Sequence, residues 1–383
     1  MTETLSFRGY IKGVMYKAHL TAPLEIYSLD DFNINEAKNY GLIETGVGQI
    51  GFSKWVSPKR TRSYPFERIY NTYNSAKIIT IIPVIKDEGK DGDLDKIQYS
   101  TISWMNLLNV YIVLAYYHAA EKNTRASQRH KQKITKQKFN NEFVKSQVEE
   151  IINYKQSALH WNKNLFEERF VEIFKSALAA YKRISELTRI EVHRQTSLLN
   201  YLQEVMSDYK AFASLSLTGS QRASLRELGT VHKFEHLSEG AKGQFFIENY
   251  LGGIYYLTAD EVIPNSQDLI LKDKKVIIQE AKNSSRGFLP SVCDIRDGLF
   301  KLILFSNLET LTYEGERIEF SCQLKLTGAR VVGFLRLPCP KAEMQSFLEM
   351  NKGRYRKNDI ETLEKLQAEA QQNGLRILIA SNI

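Results

Sequence analysis

Cysteine is scarce in this chain and poorly spaced for chemistry. Cys293, Cys322 and Cys339 are the only three. An odd number without C-x-x-C spacing offers neither a disulfide framework nor a zinc knuckle, and points to a reducing compartment. No apolar run approaches membrane-spanning length, and the first residues lack the order of an export signal. A cytoplasmic chain with no membrane contact is the expectation. P-loop, helicase and methyltransferase motifs are absent, so no nucleotide cofactor is expected and an ATP-driven motor is disfavoured. No internal repeat is visible. Proline and glycine are missing from Phe139 to Thr218, which leaves that stretch free to be helical. Acids are missing between Glu121 and Glu142.

What is present is a globular composition: 383 residues, 43% hydrophobic and 25% charged. That length holds two or three domains with sizeable cores. The formal net charge is +8, which suits a polyanionic partner. The acid-free run carries Lys122, Arg125, Arg129, Lys131, Lys133, Lys136 and Lys138 among Gln, Ser, Thr and Asn. It reads as a linker suited to salt-sensitive phosphate contacts, with Arg129, Lys131 and Lys133 as candidate DNA ligands.

Residues 265 to 283 hold the most informative pattern. Lys275 to Lys282 is rich in Val and Ile and reads as a strand. Asp268 to Leu271 reads as its partner, with Lys272-Asp273-Lys274 as a tight turn. Glu280 and Lys282 share a face because strands alternate with period two. A three-residue turn sets Asp268 opposite Ile278 on that face, where its carboxylate and that of Glu280 can share one cation. Paired carboxylates at the end of an apolar strand need a hard cation, and a lysine two residues on can serve a water or a phosphate.

The spacing Asp268-x₁₁-Glu280-Ala-Lys282 resembles the active-site signature of the PD-(D/E)XK nucleases, and the chain size resembles a type II restriction endonuclease. The resemblance covers mainly residues 240 to 310. It implies Mg²⁺ held by Asp268 and Glu280, with Lys282 serving the attacking water. It also implies a preceding helix with a further acid, matched by Glu248 in Gly243–Tyr250, and a following helix, matched by Val292–Phe305. Gln267 stands where the motif name has proline. Arg286, in the polar loop after the second strand, is a candidate phosphate contact.

The expected fold is α/β: a restriction-endonuclease-like mixed sheet flanked by helices over 219–383, an N-terminal α/β region over 1–121, and a basic, helical region over 122–218. The expected function is Mg²⁺-dependent cleavage of double-stranded DNA, by a homodimer where both strands are cut. The alternatives are a structure-specific or repair nuclease and a non-catalytic DNA-binding protein.

Other motifs carry less. Gly46–Gly51 matches G-x-G-x-x-G, but Phe52–Pro58 does not open a helix, so a glycine-rich loop is expected. His232–His236 matches H-x-x-E-H without a third ligand. Asp87 to Asp95 is acidic and, with Glu67, suggests a second metal site around Asp91, Asp93 and Asp95; a solvated loop is the better reading. Phe166, Phe170 and Phe174 recur at helical spacing and are assigned to a core. Strands are expected at Gly9–Tyr16, Lys77–Val84, Asn109–Tyr116, Glu319–Leu326, Arg330–Leu337 and Leu375–Ala380. A helix is expected from Asp359 to Gln372, stopped by Gly374.

Overall fold

A computed structural model describes residues 4–17, 24–54, 75, 77–96, 102, 105–125, 132–206, 241–264 and 275–382. The described chain is mixed α/β.

It opens with β1 (Thr4–Ile11), β2 (Ile26–Ser28), β3 (Tyr40–Thr45), β4 (Gly48–Lys54), β5 (Lys77–Pro83), β6 (Ile85–Asp87), β7 (Leu94–Lys96) and β8 (Tyr111–Ala115). The order β2-β3-β4-β5-β8 makes a five-stranded sheet. Its two most apolar strands, β5 and β8, run parallel and are almost wholly buried. That is the burial a continuous Ile/Val run demands, since it has no polar face to offer water. Gly46 and Val47 turn the β3/β4 hairpin, and β4 continues as strand, so the glycine pattern is not a dinucleotide loop.

The two described ends of the acid-free basic run are strand: β9 (Tyr117–Lys122) pairs antiparallel with β10 (Ile134–Phe139). The described part of the proline-free stretch is mostly helical, as expected: α1 (Asn141–Asn153), α2 (Ala158–Asn164), a π turn at Leu165–Arg169, α3 (Phe170–Thr188) and α4 (Gln195–Met206). Phe166, Phe170 and Phe174 are buried, and neighbouring rings lie 5.6 Å apart.

The C-terminal part gives β11 (Ala241–Asn249), β12 (Ile254–Pro264), β13 (Lys275–Ser284), α5 (Val292–Ser306), β14 (Leu308–Tyr313), β15 (Glu316–Arg317), β16 (Glu319–Gly328), β17 (Phe334–Leu337), α6 (Lys341–Met350), α7 (Lys357–Asn373) and β18 (Ile377–Ser381). These strands and β1 form a nine-stranded mixed sheet, ordered β15-β14-β1-β11-β12-β13-β16-β18-β17. β1 pairs with both β11 and β14, so residues 4–11 belong to this sheet and not to the N-terminal one. One continuous apolar core runs through both sheets.

Strand β13, helix α5, strand β16 and helix α7 lie within a few residues of their expected places. Gly374 caps α7 in the left-handed region at φ 62°. The strand expected over Arg330–Leu337 is shorter, Phe334–Leu337, because the end of β16 and the next residues fold back on the loop after β13: Ala329 N donates to Ser284 O at 3.0 Å and Arg330 N to Gly287 O at 3.2 Å. Gly243–Tyr250 is not a helix. It alternates, with Phe245, Ile247 and Asn249 buried and Phe246 and Glu248 partly exposed, and that period two is a strand's.

Gly328 fixes the loop after β13. A Cβ there would lie 2.0 Å from the carbonyl oxygen of Phe288, whose ring is seated near Phe347 and Tyr355. Backbone cannot yield as a flexible side chain can. Gly328→Ala is therefore expected to lower stability by about 1–3 kcal/mol, read as a fall in the denaturation midpoint at unchanged m-value. An unchanged midpoint would mean that the loop is free to move.

Candidate active site

Glu280 lies on a strand as expected, but the described antiparallel partner of that strand is β12, and Asp268–Leu271 lies outside the described residues. β12 and β13 pair antiparallel, with Val262 opposite Ile278 and Glu261 opposite Gln279. The position expected for Asp268 is thus held by Val262. The connection is longer, residues 265–274, and Asp268 itself lies outside the described residues. One step beyond Glu261↔Gln279 stands Asp260, beside Glu280.

A bulge sets Asp260 in place. On the other side of β12, Ala241 pairs with Val262 but Gly243 with Ala259. Three steps of β12 therefore stand against two of β11, and the extra residue lies at Asp260–Glu261. Such a bulge re-aims a side chain without ending the sheet. Asp260 Oδ2 accepts from the Ala281 backbone N–H at 2.8 Å, taking the place of a ladder bond.

Glu280 is 1% exposed and Asp260 5%. Lys282 Nζ donates to Glu280 Oε1 at 2.8 Å and lies 3.1 Å from Asp297 Oδ2. Lys301 Nζ lies 3.0 Å from the same Glu280 Oε1. Glu280 Oε2 is buried and has no hydrogen-bond partner. Burial pushes the Glu280 carboxyl up to about 8, Asp260 adds to the rise, and the two lysines oppose it. Burial, the largest influence, and the Lys301 charge would lower the Lys282 ammonium, but the charges of Glu280, Asp297 and Asp260 together outweigh them and the shift is upward.

Helix α5 supplies two of these five groups. Asp297 and Lys301 are one turn apart and face β13. Gly298 lets the helix come close: a Cβ there would meet Leu324 Cδ1 at 2.6 Å and Lys282 Cγ at 3.3 Å. Beneath the sheet, Gln323 Nε2 donates to Gln279 Oε1 at 2.8 Å and Gln279 Nε2 to Glu261 Oε2 at 2.6 Å, which ties β12, β13 and β16 together at this level.

Glu248 does not join the site. It lies on β11 opposite Ile254 and pairs with Arg8 at 3.5 Å. Six residue steps along β12 separate Ile254 from Asp260, roughly 20 Å of strand. Arg286 is exposed on the loop after β13, whose turn is closed by Gly287 N donating to Ser284 Oγ at 2.9 Å. Arg129 and Lys131 lie outside the described residues, as do Glu67 and His232–His236. Lys133 is half-buried just before β10, where its backbone N–H donates to Glu88 O at 2.8 Å.

In the acidic stretch, Asp87 is engaged: Oδ1 accepts from Gly89 N at 2.9 Å and meets His193 Nδ1 at 2.7 Å, and Oδ2 accepts from His193 N at 2.9 Å. Asp91 and Asp93 are exposed, and the side chain of Asp95 is not described. Among the described residues no three His, Cys, Asp or Glu gather as a metal cluster. At the Asp260–Glu280 pair the protein therefore offers two carboxylates, and water or substrate oxygens would complete a Mg²⁺ shell.

Asp260, Asp297 and Lys301 are the residues that reading the sequence missed. Lys301 carried a signal: it is the one charge in the apolar run Leu299–Phe305, and a buried charge needs a partner. No family model, no curated protein and no solved structure matches this chain.

Proposed function

We propose that this chain is a Mg²⁺-dependent endonuclease that hydrolyses phosphodiester bonds of double-stranded DNA, of the type II restriction class. The observation that carries the reading is the meeting of Asp260 and Glu280 across adjacent strands, with Lys282 two residues on and a buried Glu280 oxygen lacking a partner. An orphaned carboxylate oxygen beside a second carboxylate fits a hard divalent cation. Asp260 and Glu280 would hold it, and when bound it supplies a Lewis acid for the scissile phosphate and acidifies a coordinated water. The Ala281 N–H holds Asp260 in one orientation. Lys282 sits at the mouth, 15% exposed, where its ammonium can turn from Asp297 to a phosphate oxygen or an attacking water.

The test is digestion of unmethylated phage DNA in Mg²⁺ and in EDTA. Discrete fragments in Mg²⁺ alone support the restriction reading. A smear or nicking supports a non-specific or structure-specific nuclease. Binding without cutting in any divalent metal leaves a DNA-binding protein. One such site cuts one strand, so a double-strand break calls for a homodimer on DNA, checked by sedimentation of the complex.

Binding in Ca²⁺ is expected to weaken steeply with salt. Joint replacement of Arg129, Lys131 and Lys133 by Ala should flatten the log–log slope by about 2. An unchanged slope would mean that these three residues do not touch phosphates.

A further inference from the structure

We propose that Lys301 is a positioning residue of this site: from helix α5 it holds the Glu280 carboxylate fixed and paired, so that Lys282 is free to leave Glu280 for the substrate. The inference rests on the nuclease reading and assigns a task within it. Two ammonium groups converge on one oxygen, Glu280 Oε1, at 2.8 Å and 3.0 Å, while Oε2 receives none. The two lysines are not equivalent. The Lys301 side chain is 4% exposed and lies too deep to meet a DNA backbone. The Lys282 side chain is 15% exposed and also reaches Asp297, which at 34% lies nearer the solvent.

A buried carboxylate that loses its only counter-charge becomes costly, so a lone lysine beside Glu280 would be held there. With Lys301 on Oε1, Lys282 can depart and Glu280 keeps a cation. Lys301 also fixes which oxygen is occupied, which leaves the buried Oε2 without a hydrogen-bond partner. Gly298 is part of the device, since a side chain there would press on Lys282 and Leu324 and lift the helix face that carries Lys301.

The experiment compares single-turnover cleavage of unmethylated phage DNA in Mg²⁺ with DNA affinity in Ca²⁺. Lys301→Met keeps the length and removes the charge. Its cleavage rate is expected to fall about 100-fold with the DNA Kd within about twofold, because Lys301 touches no substrate. Lys301→Arg, which keeps the charge but moves it, should fall about tenfold. If Lys301 acts by releasing Lys282, then Lys282→Ala with Lys301→Met should cut within about threefold of Lys282→Ala alone. A residue that only neutralises buried charge would lower the melting temperature and leave the rate of the folded enzyme unchanged. That result, or a fully additive double variant, overturns the inference. If Lys301→Met does not fold, Lys301→Arg carries the test, and a wild-type rate there overturns it equally. If the wild-type protein cuts no DNA in Mg²⁺, the nuclease reading falls and takes this inference with it. Wild-type cutting beside an unaffected Lys301→Met removes the inference alone.

Discussion

Glu280→Gln and Lys282→Ala are each expected to lower DNA cleavage in Mg²⁺ by about 10³-fold or more, with DNA binding in Ca²⁺ kept within a few-fold. Glu280 is 1% exposed and central: Lys282 and Lys301 both point to it, and Asp260 lies beside it. Gln has the same shape but cannot hold a divalent cation as a carboxylate does. The variant therefore removes the charge on which hydrolysis depends and not the fold. Lys282 is partly reachable from solvent, and in the proposed reaction its ammonium acts on water or phosphate. Such a group raises the rate and contributes little to ground-state binding. Gel shifts and single-turnover digestion on the same preparations separate the two quantities. Cleavage retained in both variants would leave this hairpin a structural element.

Stability of the metal-free protein should depend on pH in an unusual direction. Glu280 is pushed from 4.5 to about 8, by burial first and by Asp260 second. An acid whose folded pKa is raised binds a proton more tightly in the folded than in the unfolded chain. Its contribution is therefore present at low pH and lost as pH rises from about 4.5 towards 8. The loss is on the order of a few kcal/mol. In EDTA the melting temperature should fall by several degrees between pH 5.5 and 8. Ca²⁺ should restore more of it at pH 8 than at pH 5.5, because only the ionised pair holds a cation. Glu280→Gln should melt without this slope, whatever its absolute stability. A wild-type protein whose melting temperature rises over the same interval would show that the pair is not electrostatically strained.

The parts of the fold that were legible are those whose local chemistry agrees with their tertiary setting. Lys275–Lys282 is Val- and Ile-rich and is a strand. Val292–Ser306 has a Ser291 cap and an apolar face and is a helix. The glycine- and proline-free middle is mostly helical over its described residues, to Met206. The failures were failures of long-range pairing. Asp268–Leu271 was the nearest apolar piece, so it suggested a tight hairpin. The true partner, Ile254–Pro264, lies further back and carries Thr258, Asp260 and Glu261 in its interior, which breaks the alternation that marks a strand. The bulge that aims Asp260 is set by pairing with β11 and leaves no sequence mark. β1 joins a sheet whose other strands begin at residue 241, and no local pattern states that. Glu248 was placed beside the site by reading Gly243–Tyr250 as a helix; as a strand, it carries the acid to the far end of the sheet.

Asp260 against Asp268 is the sharpest test of the account. Asp260→Asn and Asp268→Asn, each purified beside the wild type, can be assayed for Mg²⁺-dependent cleavage of the same unmethylated phage DNA under single-turnover conditions. The account predicts that the wild-type protein cuts, that Asp260→Asn cuts at least about 10³-fold more slowly, and that Asp268→Asn stays within a few-fold of wild type. Full activity in Asp260→Asn, with loss in Asp268→Asn, would contradict it.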